Sequence, residues 1–511
     1  MDNKSAQSDK SSKENKSSKE NKSSKENKSS KENKSSKENK SSKENKSSKE
    51  NKSSKEDINK LDKSRESSKN NIDKQNEDKQ SEDKQNNIKK LNSGKMMLAA
   101  EGSQTKYKNP DYYLTGNPQI TFFKSVYKRH TNFSSFWKKL DFQGTTEFGN
   151  KLICKINNSH GDLLGDLLFS LVLPKITASG ADNVKWTNRI GHAMIEYITL
   201  KIGNREIVTH TGEWLELQSQ LTIPNEKKVG YDNMIGDITN LKIESSVINE
   251  YQLYIPFQFW FCKDIGLALP LVSLNTDSDL EVIIKLRDFD RLIHKTSATT
   301  VVTQEKTTLE CSLKGKFFLL EDKERLLFSK KSHKYLIEQL QVLPNEVGNK
   351  INLTFKLPVK ELVWVGRRNQ ANSKNFSKDG NMYDYNNHFD YTSSPILANS
   401  YNMFVWFSLH LNNPNNSLFE KLETQYFSFY LPYKYHSNIP NTGVYVYPFS
   451  ENPEEYQPSG SCNFSRLDTD NCILNFIYNN EGSGDKTLTV YATSYNFLLI
   501  DEGQAVIEYT Q

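Results

Sequence analysis

The chain has 511 residues, of which 35% are hydrophobic and 26% charged, and its formal net charge is +5. This length allows for roughly two to four domains, but so polar a composition excludes a chain that folds evenly from end to end. Residues 1–108 hold 29 Lys+Arg and 19 Asp+Glu, a net charge of +10, which leaves −5 for residues 109–511. The chain is therefore a basic tail on a mildly acidic body.

Several classes of protein are excluded by what the sequence lacks. No apolar run approaches the roughly 18 residues of a membrane span, and the first hundred residues have no signal-peptide core. The five cysteines are widely separated and never in a C-x-x-C pair, so neither a zinc knuckle nor a disulfide framework is indicated. We expect a soluble protein of a reducing compartment.

The tail, residues 1–108, is of low complexity. From Lys10 the hexamer Lys-Ser-Ser-Lys-Glu-Asn occurs eight times, the last copy ending in Asp57. Its six-residue period matches neither a helix nor a heptad, and it contains no apolar side chain to bury. Disorder is predicted. A solvated spacer is favoured over a nucleic-acid arm because each repeat mixes Lys with Glu and has no aromatic residue for stacking.

The first structured element is predicted at residues 117–130. Asn117 followed by Pro118 is typical of a helix N-cap and first turn. Ile120, Phe123 and Val126 then recur at three-residue spacing, and basic residues follow at the C-terminal end. We expect a short amphipathic helix that docks on the body.

Beyond this helix, apolar residues recur with a period of two. Short runs rich in Val, Ile, Tyr, Phe and Thr are separated by Gly, Asn, Pro and Asp, which predicts a mainly β body of antiparallel sandwiches. The predicted strands are Lys151–Ile156, Leu167–Leu173, Ala193–Ile202, Glu281–Leu286, Lys316–Leu320, Ile351–Leu357, Glu361–Val365, Met403–Leu411, Tyr426–Leu431, Gly443–Phe449, Cys472–Tyr478, Thr487–Thr493 and Ala505–Tyr509.

About 400 residues are too many for one sandwich. The polar, basic stretch 323–341 has a partly helical apolar pattern and is the best internal connector. We therefore predict a first sandwich with its leading helix at 109–322, a connector at 323–341 and a second sandwich at 342–511.

A search for catalytic chemistry finds no characteristic motif. The nine His residues include no His-x-His pair and no HExxH, and there is no GxGxxG, Walker A or G-x-S-x-G motif. We predict no catalytic, cofactor-binding or metal-binding residue and no enzymatic activity. The aromatic stretch Tyr254–Phe261 has the rings of a carbohydrate platform, but in a β context it is more often core.

Several short motifs follow one another along the body of the chain. The first is Tyr113–Lys124 (YLTGNPQITFFK), with Tyr127–Phe133 (YKRHTNF). The others are 255–262 (IPFQFWFC), 266–271 (GLALPL), 358–365 (PVKELVWV), 445–449 (YVYPF) and 457–468 (QPSGSCNFSRLD). The first motif resembles the opening of the major capsid proteins of nucleocytoplasmic large DNA viruses, and the others resemble later motifs of that family, in the same order up to Asp468.

The resemblance implies two eight-stranded jelly rolls in tandem and a homotrimer with a nearly hexagonal outline. Such capsomers tile an icosahedral shell, so the expected partners are other copies of this chain, neighbouring capsomers, and minor capsid or vertex proteins. The expected location is the virion, after assembly in the host cytoplasm. The family's N-terminal helix lies on the inner side of the shell, so weak contact of the tail with an internal membrane or DNA is expected. No small-molecule substrate or cofactor is implied.

One interpretation from another class stays open at this point. A soluble jelly-roll lectin or glycan-processing enzyme would have convergent carboxylates or metal ligands in a groove, whereas a capsid protein would have large lateral interfaces. Trp137, Phe257 and Phe259 are candidates for either core or trimer-interface burial, two roles that the sequence does not separate.

Overall fold

The computed structural model describes residues 112–275, 278–297, 299–368, 387–392, 402–412, 417–479 and 486–509. The predicted disordered tail, 1–108, lies outside the described residues. The chain divides into two units, the first of which ends at Val126 and the second of which begins at Tyr127. Among the described residues, no helix is long and apolar enough to cross a membrane.

The predicted helix over 117–130 is wrong. Only one helical turn, α1 (Tyr112–Thr115), is present in this region. Asn117 has a φ of 51°, in the left-handed region, whereas an N-cap residue is extended. A helix this short gains most of its stability by burying an apolar face, and here Phe123 and Val126 are almost fully exposed.

The first sandwich contains the strands that run from Phe133 to Leu320. They are β1 (Phe133–Leu140), β2 (Lys151–Ile156), β3 (Leu163–Leu173), β4 (Ile176–Ala178), β5 (Val184–Trp186), β6 (Ile195–Ile202), β7 (Arg205–Thr211), β8 (Val247–Ile248), β9 (Tyr251–Pro256), β10 (Leu269–Pro270), β11 (Leu280–Leu286), β12 (Ile293–Lys295), β13 (Val302–Gln304) and β14 (Cys311–Leu320). Its helices are α2 (Ile190–Ala193), α3 (Gly212–Thr222), α4 (Asn225–Ile235) and α5 (Thr239–Lys242).

The second sandwich follows helix α6 (Asp322–Lys330). Its strands are β15 (His333–Glu346), β16 (Lys350–Asn352), β17 (Pro358–Arg368), β18 (Phe404–His410), β19 (Ser417–Glu423), β20 (Val444–Pro448), β21 (Cys462–Asn463), β22 (Ile473–Tyr478), β23 (Lys486–Asp501) and β24 (Gln504–Ile507). Between β19 and β20 lie a π-helical turn, Tyr426–Tyr430, and α7 (Leu431–Tyr435). Short 3-10 turns occur at Trp260–Cys262, Ile265–Leu267, Leu271–Ser273, Phe289–Arg291, Phe464–Arg466 and Thr469–Asn471.

The two sandwiches have the same strand order. In the first, the sheet β1-β14-β3, with β9 also paired to β3, faces the sheet β2-β11-β6-β7. In the second, β15-β23-β17-β20 faces β16-β22-β18-β19. The pairings between these strands are antiparallel, and this repeated order is that of two jelly rolls in tandem.

Alternation of apolar and polar residues explains these strands. In β11 every second residue is buried, from Leu280 through Val282 and Ile284 to Leu286. The first core has Phe169 and Trp186 among its large side chains, and the second has Trp364 and Phe407. Ile337 of the second sandwich packs into the first core, so the two sandwiches are not independent of each other.

The predicted strands and connector need two corrections. Tyr426–Leu431 is helical, because a helix directs Phe427 and Leu431, four residues apart, into the second core. The other predicted runs overlap strands. Of the predicted connector, 323–341, only the part in α6 links the sandwiches; from His333 the chain forms β15, whose alternate side chains and pairing to β23 place it in the second sandwich.

Candidate functional site: the seam between the two sandwiches

Helix α3 is the element of the first sandwich that reaches the second. It begins where the Thr211 hydroxyl accepts a hydrogen bond from the Trp214 N–H, which caps the first turn. Gly212 lies so close to the first sandwich that a Cβ there would be 2.1 Å from the carbonyl oxygen of Ile195. Only glycine allows the helix to start in this position, and α3 is thereby held against its own sandwich.

The outward face of α3 is apolar and packs on the second sandwich. Trp214, Leu217 and Leu221 lie at i, i+3 and i+7 and are buried. They form one cluster with side chains from the outer face of the β15-β23-β17-β20 sheet, namely Val363, Val365, Val444, Val446 and Tyr491. The Trp214 and Tyr491 rings stack with centroids 5.5 Å apart. Burial of each large side chain contributes about 1.5–3 kcal/mol, so this contact couples the sandwiches strongly.

Polar contacts fix both ends of α3 to the second sandwich. At its N-terminal end, Glu213 pairs with Arg367 and accepts a hydrogen bond from the Tyr491 hydroxyl. Burial alone would lower the pKa of Arg367, but Glu213 outweighs it and raises the pKa. At its C-terminal end, the Leu221 carbonyl oxygen accepts from the Asn438 N–H at 2.9 Å, and Gln220 Oε1 accepts from the Asn441 N–H at 3.0 Å.

A second charge cluster crosses the seam beside α3, with Lys360 buried, Glu338 half-buried and Lys263 more exposed. Glu338 on β15 accepts from Lys263 Nζ of the first sandwich at 2.5 Å and from Lys360 Nζ at 2.6 Å. Burial would raise the pKa of Glu338, but the two ammonium groups outweigh it and lower the pKa to about 2. Gln339 adds a hydrogen bond from its Nε2 to the Ile207 carbonyl oxygen at 2.6 Å.

A cavity of about 260 Å³ lies in this seam, lined by residues of both sandwiches. His436 lines it and pairs through Nε2 with Glu361 at 3.3 Å and through Nδ1 with Glu454 at 3.1 Å. Burial lowers the pKa of His436, but the two carboxylates outweigh it and raise the pKa to about 9.

The charges around the cavity are already paired. Glu338 holds Lys263 and Lys360, while Glu361 and Glu454 hold His436. Burial lowers the pKa of His210, also in the lining, to about 3, so this ring is neutral. Each of these charges therefore has a partner, and removal of one partner would leave the other uncompensated in the seam, which is destabilising.

The sequence predicts no catalytic, cofactor or metal residue. Across the described ranges, no group of three or more His, Cys, Asp or Glu side chains is arranged to hold a metal ion. The structure separates the two roles considered for the aromatic residues: Phe257 and Phe259 are core, whereas Trp137 on β1 is 54% exposed.

Exposed aromatic side chains identify a further surface. The helix at residues 424–435 directs Phe429, Tyr430 and Tyr433 outward, and Tyr433 is 75% exposed. With Leu422, Tyr426 and Ile439 they line a shallow groove. Apolar groups in such concentration on a surface are typical of protein interfaces.

Sequence reasoning missed the α3 contact. The i, i+3, i+7 spacing of Trp214, Leu217 and Leu221 could have predicted an amphipathic helix between β7 and β9. Its partner sheet begins more than a hundred residues later in the chain, so spacing alone gives no indication of where this face docks.

Two family models match the chain. One, described as the major capsid protein N-terminus, covers residues 121–319, and the other, described as the large eukaryotic DNA virus major capsid protein, covers residues 324–506.

Curated relatives are similar over nearly their whole length. The major capsid protein of Pyramimonas orientalis virus is 32% identical, in an alignment that covers 82% of this chain and 100% of that protein. The major capsid protein of Phaeocystis pouchetii virus is 29% identical, with 82% and 99% covered.

Solved structures agree with these relatives. The crystal structure of PBCV-1 VP54 superposes with a TM-score of 0.64 at 26% identity and covers 76% of this chain and all of that chain. The Faustovirus major capsid protein, at 14% identity, shares the fold with a TM-score of 0.62 over 82% of this chain and 98% of that one. The comparisons give the carbohydrate-binding alternative no support. The chain therefore belongs to the major capsid protein family of nucleocytoplasmic large DNA viruses, and it is a structural protein of the virion's capsid shell.

Proposed function

We propose that three copies of the chain assemble into a capsomer of nearly hexagonal outline and that such capsomers tile an icosahedral shell. The observation that carries the proposal is the repeated jelly roll: two sandwiches of the same strand order are joined by a buried seam in one chain. Three such chains supply six similar faces, and similar faces allow one gene product to make quasi-equivalent contacts with its neighbours.

The proposal includes the domain organisation. The N-terminal jelly roll occupies 109–322 after the tail, and the C-terminal jelly roll begins at β15 and continues to residue 511. The capsomer's partners are neighbouring capsomers and minor capsid or vertex proteins. Its role is mechanical, without enzymatic activity and without a catalytic, cofactor or metal site.

Light scattering and negative-stain electron microscopy of the purified full chain test this function. We expect a particle of three chains with a nearly hexagonal outline. A stable monomer at the concentrations used for assembly would contradict the proposal. A glycan array tests the alternative, since strong and saturable binding to one glycan would favour a lectin.

For the tail, 1–108, we propose weak contact with an internal membrane or with packaged DNA. Its net charge of +10 supports this role. The mixture of Lys and Glu makes each contact weak, but many copies in a lattice act together, and the attraction should decrease as salt rises. A spacer between shell and membrane is the competing role.

Cosedimentation with anionic liposomes, with and without residues 1–108, separates the two roles. We expect the full chain to bind at low salt and to be released at high salt, and the same assay with duplex DNA tests the second polyanion. Equal binding by both chains would eliminate the electrostatic contact and leave the spacer.

A further inference from the structure

The two sandwiches carry the same helix in the same place. In the first, α3 follows β7 directly; in the second, the helix at residues 424–435, here called the second-sandwich helix, follows β19 directly. When the two helices are aligned from their first residues, the seam-facing Trp214, Leu217 and Leu221 correspond to Tyr426, Phe429 and Tyr433.

The inward faces correspond as well. Leu215 of α3 packs into the first core, and its counterpart Phe427 packs into the second. Both helices therefore direct a corresponding side chain into their own cores, although the second contains the π-helical turn Tyr426–Tyr430, which α3 lacks. The outward faces of the two helices differ. The outward face of α3 is buried in the seam, whereas Phe429 and Tyr433 on the second-sandwich helix are exposed within the described part of the chain.

The surface that receives α3 is also repeated. It is the outer face of the β15-β23-β17-β20 sheet, where Val363 on β17 pairs with Tyr491 on β23. In the first sandwich, β3 has the same length of 11 residues as β17, and by position Leu168 corresponds to Val363. Leu168 pairs with Lys314 on β14, which therefore corresponds to Tyr491.

Within the residues that the structure describes, this first-sandwich face, here called the acceptor face, is only partly covered. Leu168, Val172 and Tyr254 are half-buried on it, and Trp137 is exposed. Lys314 Nζ lies 4.8 Å from the centre of the Tyr254 ring. Such a surface suits aromatic rings from a partner. The rings can pack on its aliphatic and aromatic side chains, and their faces attract its ammonium group.

We infer that the second-sandwich helix of one copy docks on the acceptor face of a second copy, as α3 docks on the second sandwich within one chain. The partner is another copy because the chain itself contains the matching contact, already formed between its two sandwiches. This inference rests on the proposed trimer and specifies its interface.

The contact is heterologous, since a surface of the second sandwich meets a different surface of the first. Contacts of this kind close into a ring when the rotation permits. Alternation of internal and intermolecular seams in three chains gives a ring of six sandwiches. The stacked pair Trp214 and Tyr491 inside the chain corresponds to Tyr426 of one copy, whose ring is half-buried against its own core, and Lys314 of the next.

A pair of cysteines tests this contact directly. The Glu213 and Tyr491 side chains meet at their tips inside the chain, so the corresponding residues, Gln425 and Lys314, should face each other between copies across a gap too wide for a disulfide. We expect a short bismaleimide to cross-link Gln425→Cys of one copy to Lys314→Cys of the next, since each maleimide ring adds one thiol across its carbon–carbon double bond. Denaturing electrophoresis should then show a covalently closed trimer.

Two controls complete the experiment. Each variant with only one added cysteine should stay monomeric on the gel, which also controls for the five native cysteines. Lys314→Cys combined with Leu327→Cys should stay monomeric too, since Leu327 is exposed on α6 and belongs to neither the second-sandwich helix nor the acceptor face. A trimer by light scattering without the cross-link would overturn the inference and leave the proposed trimer standing. A wild-type chain that forms no trimer would overturn both.

Tyr433→Glu provides a test that needs no cysteine. We expect it to raise the concentration for half-assembly by at least roughly tenfold, because a charge would be buried in the contact. Leu327→Glu should leave assembly unchanged. Circular dichroism and the melting temperature verify that both variants fold. Unchanged assembly of a folded Tyr433→Glu would contradict the docking.

Discussion

At the scale of single residues, the protonated ring of His436 pairs with two carboxylates next to the seam cavity, buried Glu361 and half-buried Glu454. Its pKa of about 9 in the folded chain lies above the ordinary value of about 6.5. The stabilisation is therefore complete below about pH 6.5 and is lost as the pH rises through 9. A shift of this size corresponds to a free energy on the order of 3 kcal/mol.

We predict that the free energy of unfolding falls between pH 7 and pH 10 and that His436→Gln makes this fall smaller. The variant should also be less stable at pH 7, because Glu361 and Glu454 lose their cationic partner. Urea unfolding at fixed protein concentration measures both effects. His130→Gln, at an exposed position, is the matched control. An alkaline decrease of the same size in His436→Gln and wild type would contradict this role.

Glu338 should give the free energy of unfolding the opposite dependence on pH, with stability lost at acid pH. Its pKa is about 2 in the folded chain, below the ordinary value for Glu of about 4.3. Stability from its pairing with Lys263 and Lys360 is present above the ordinary pKa and is lost as the pH falls toward 2. Glu338→Gln should reduce this acid loss in urea unfolding. A variant as acid-sensitive as wild type would be evidence against the lysine pairing.

Substitutions at Glu213 and Arg367 should have strongly non-additive effects on the free energy of unfolding. Arg367→Met leaves the Glu213 carboxylate buried without its cationic partner, which typically costs about 3–5 kcal/mol. Because Glu213→Gln combined with Arg367→Met removes both charges, the double variant should be more stable than the sum of the single effects predicts. A double-mutant cycle in urea measures the difference. Additive effects would show that the pair contributes no coupling across the seam.

At the scale of elements, α3 connects the sandwiches through the apolar face that packs on the outer sheet of the second. Trp214→Ala removes its largest seam contact and should cost about 3–5 kcal/mol. We expect calorimetry to show the two sandwiches melting in separate transitions, because their coupling is weakened. Val229→Ala on α4, where the side chain is exposed, should change little. A single transition at the wild-type temperature in Trp214→Ala would contradict this role of the helix.

How much of this architecture the sequence predicts depends on the range of the interactions. Alternation predicts a strand such as β11 because the pattern is local and its inner face is buried. Tyr426–Leu431 was predicted as a strand because aromatic residues favour strands, but packing of Phe427 and Leu431 on the second core determines a helix. The helix predicted at 117–130 does not form, because its apolar side chains are exposed and no core packs against them to stabilise a helix.

The seam illustrates what a sequence pattern does not contain. Glu213 and Arg367 are more than 150 residues apart, and nothing in their local sequence pairs them. The family resemblance correctly predicted two jelly rolls in tandem and a capsid role. It gives no indication of the paired charges of Lys263, Glu338 and Lys360, which depend on how the two sandwiches meet.

At the scale of the whole molecule, the body should provide nearly all of the stability and the tail almost none. Residues 1–108 contain few side chains that folding could bury, so their removal should shift the melting temperature by no more than about one or two degrees. Limited proteolysis followed by calorimetry measures this shift. A large loss of stability on removal would mean that the tail contributes to the fold.

The central claim is that one chain supplies two similar sandwiches to a ring of six. Cryo-electron microscopy of the purified assembly tests it most directly, since a side-chain map distinguishes internal from intermolecular seams. We predict a threefold particle in which α3 occupies three seams and the helix at 424–435 occupies the other three. A particle without threefold symmetry, or one in which Phe429 and Tyr433 face solvent, would contradict the account.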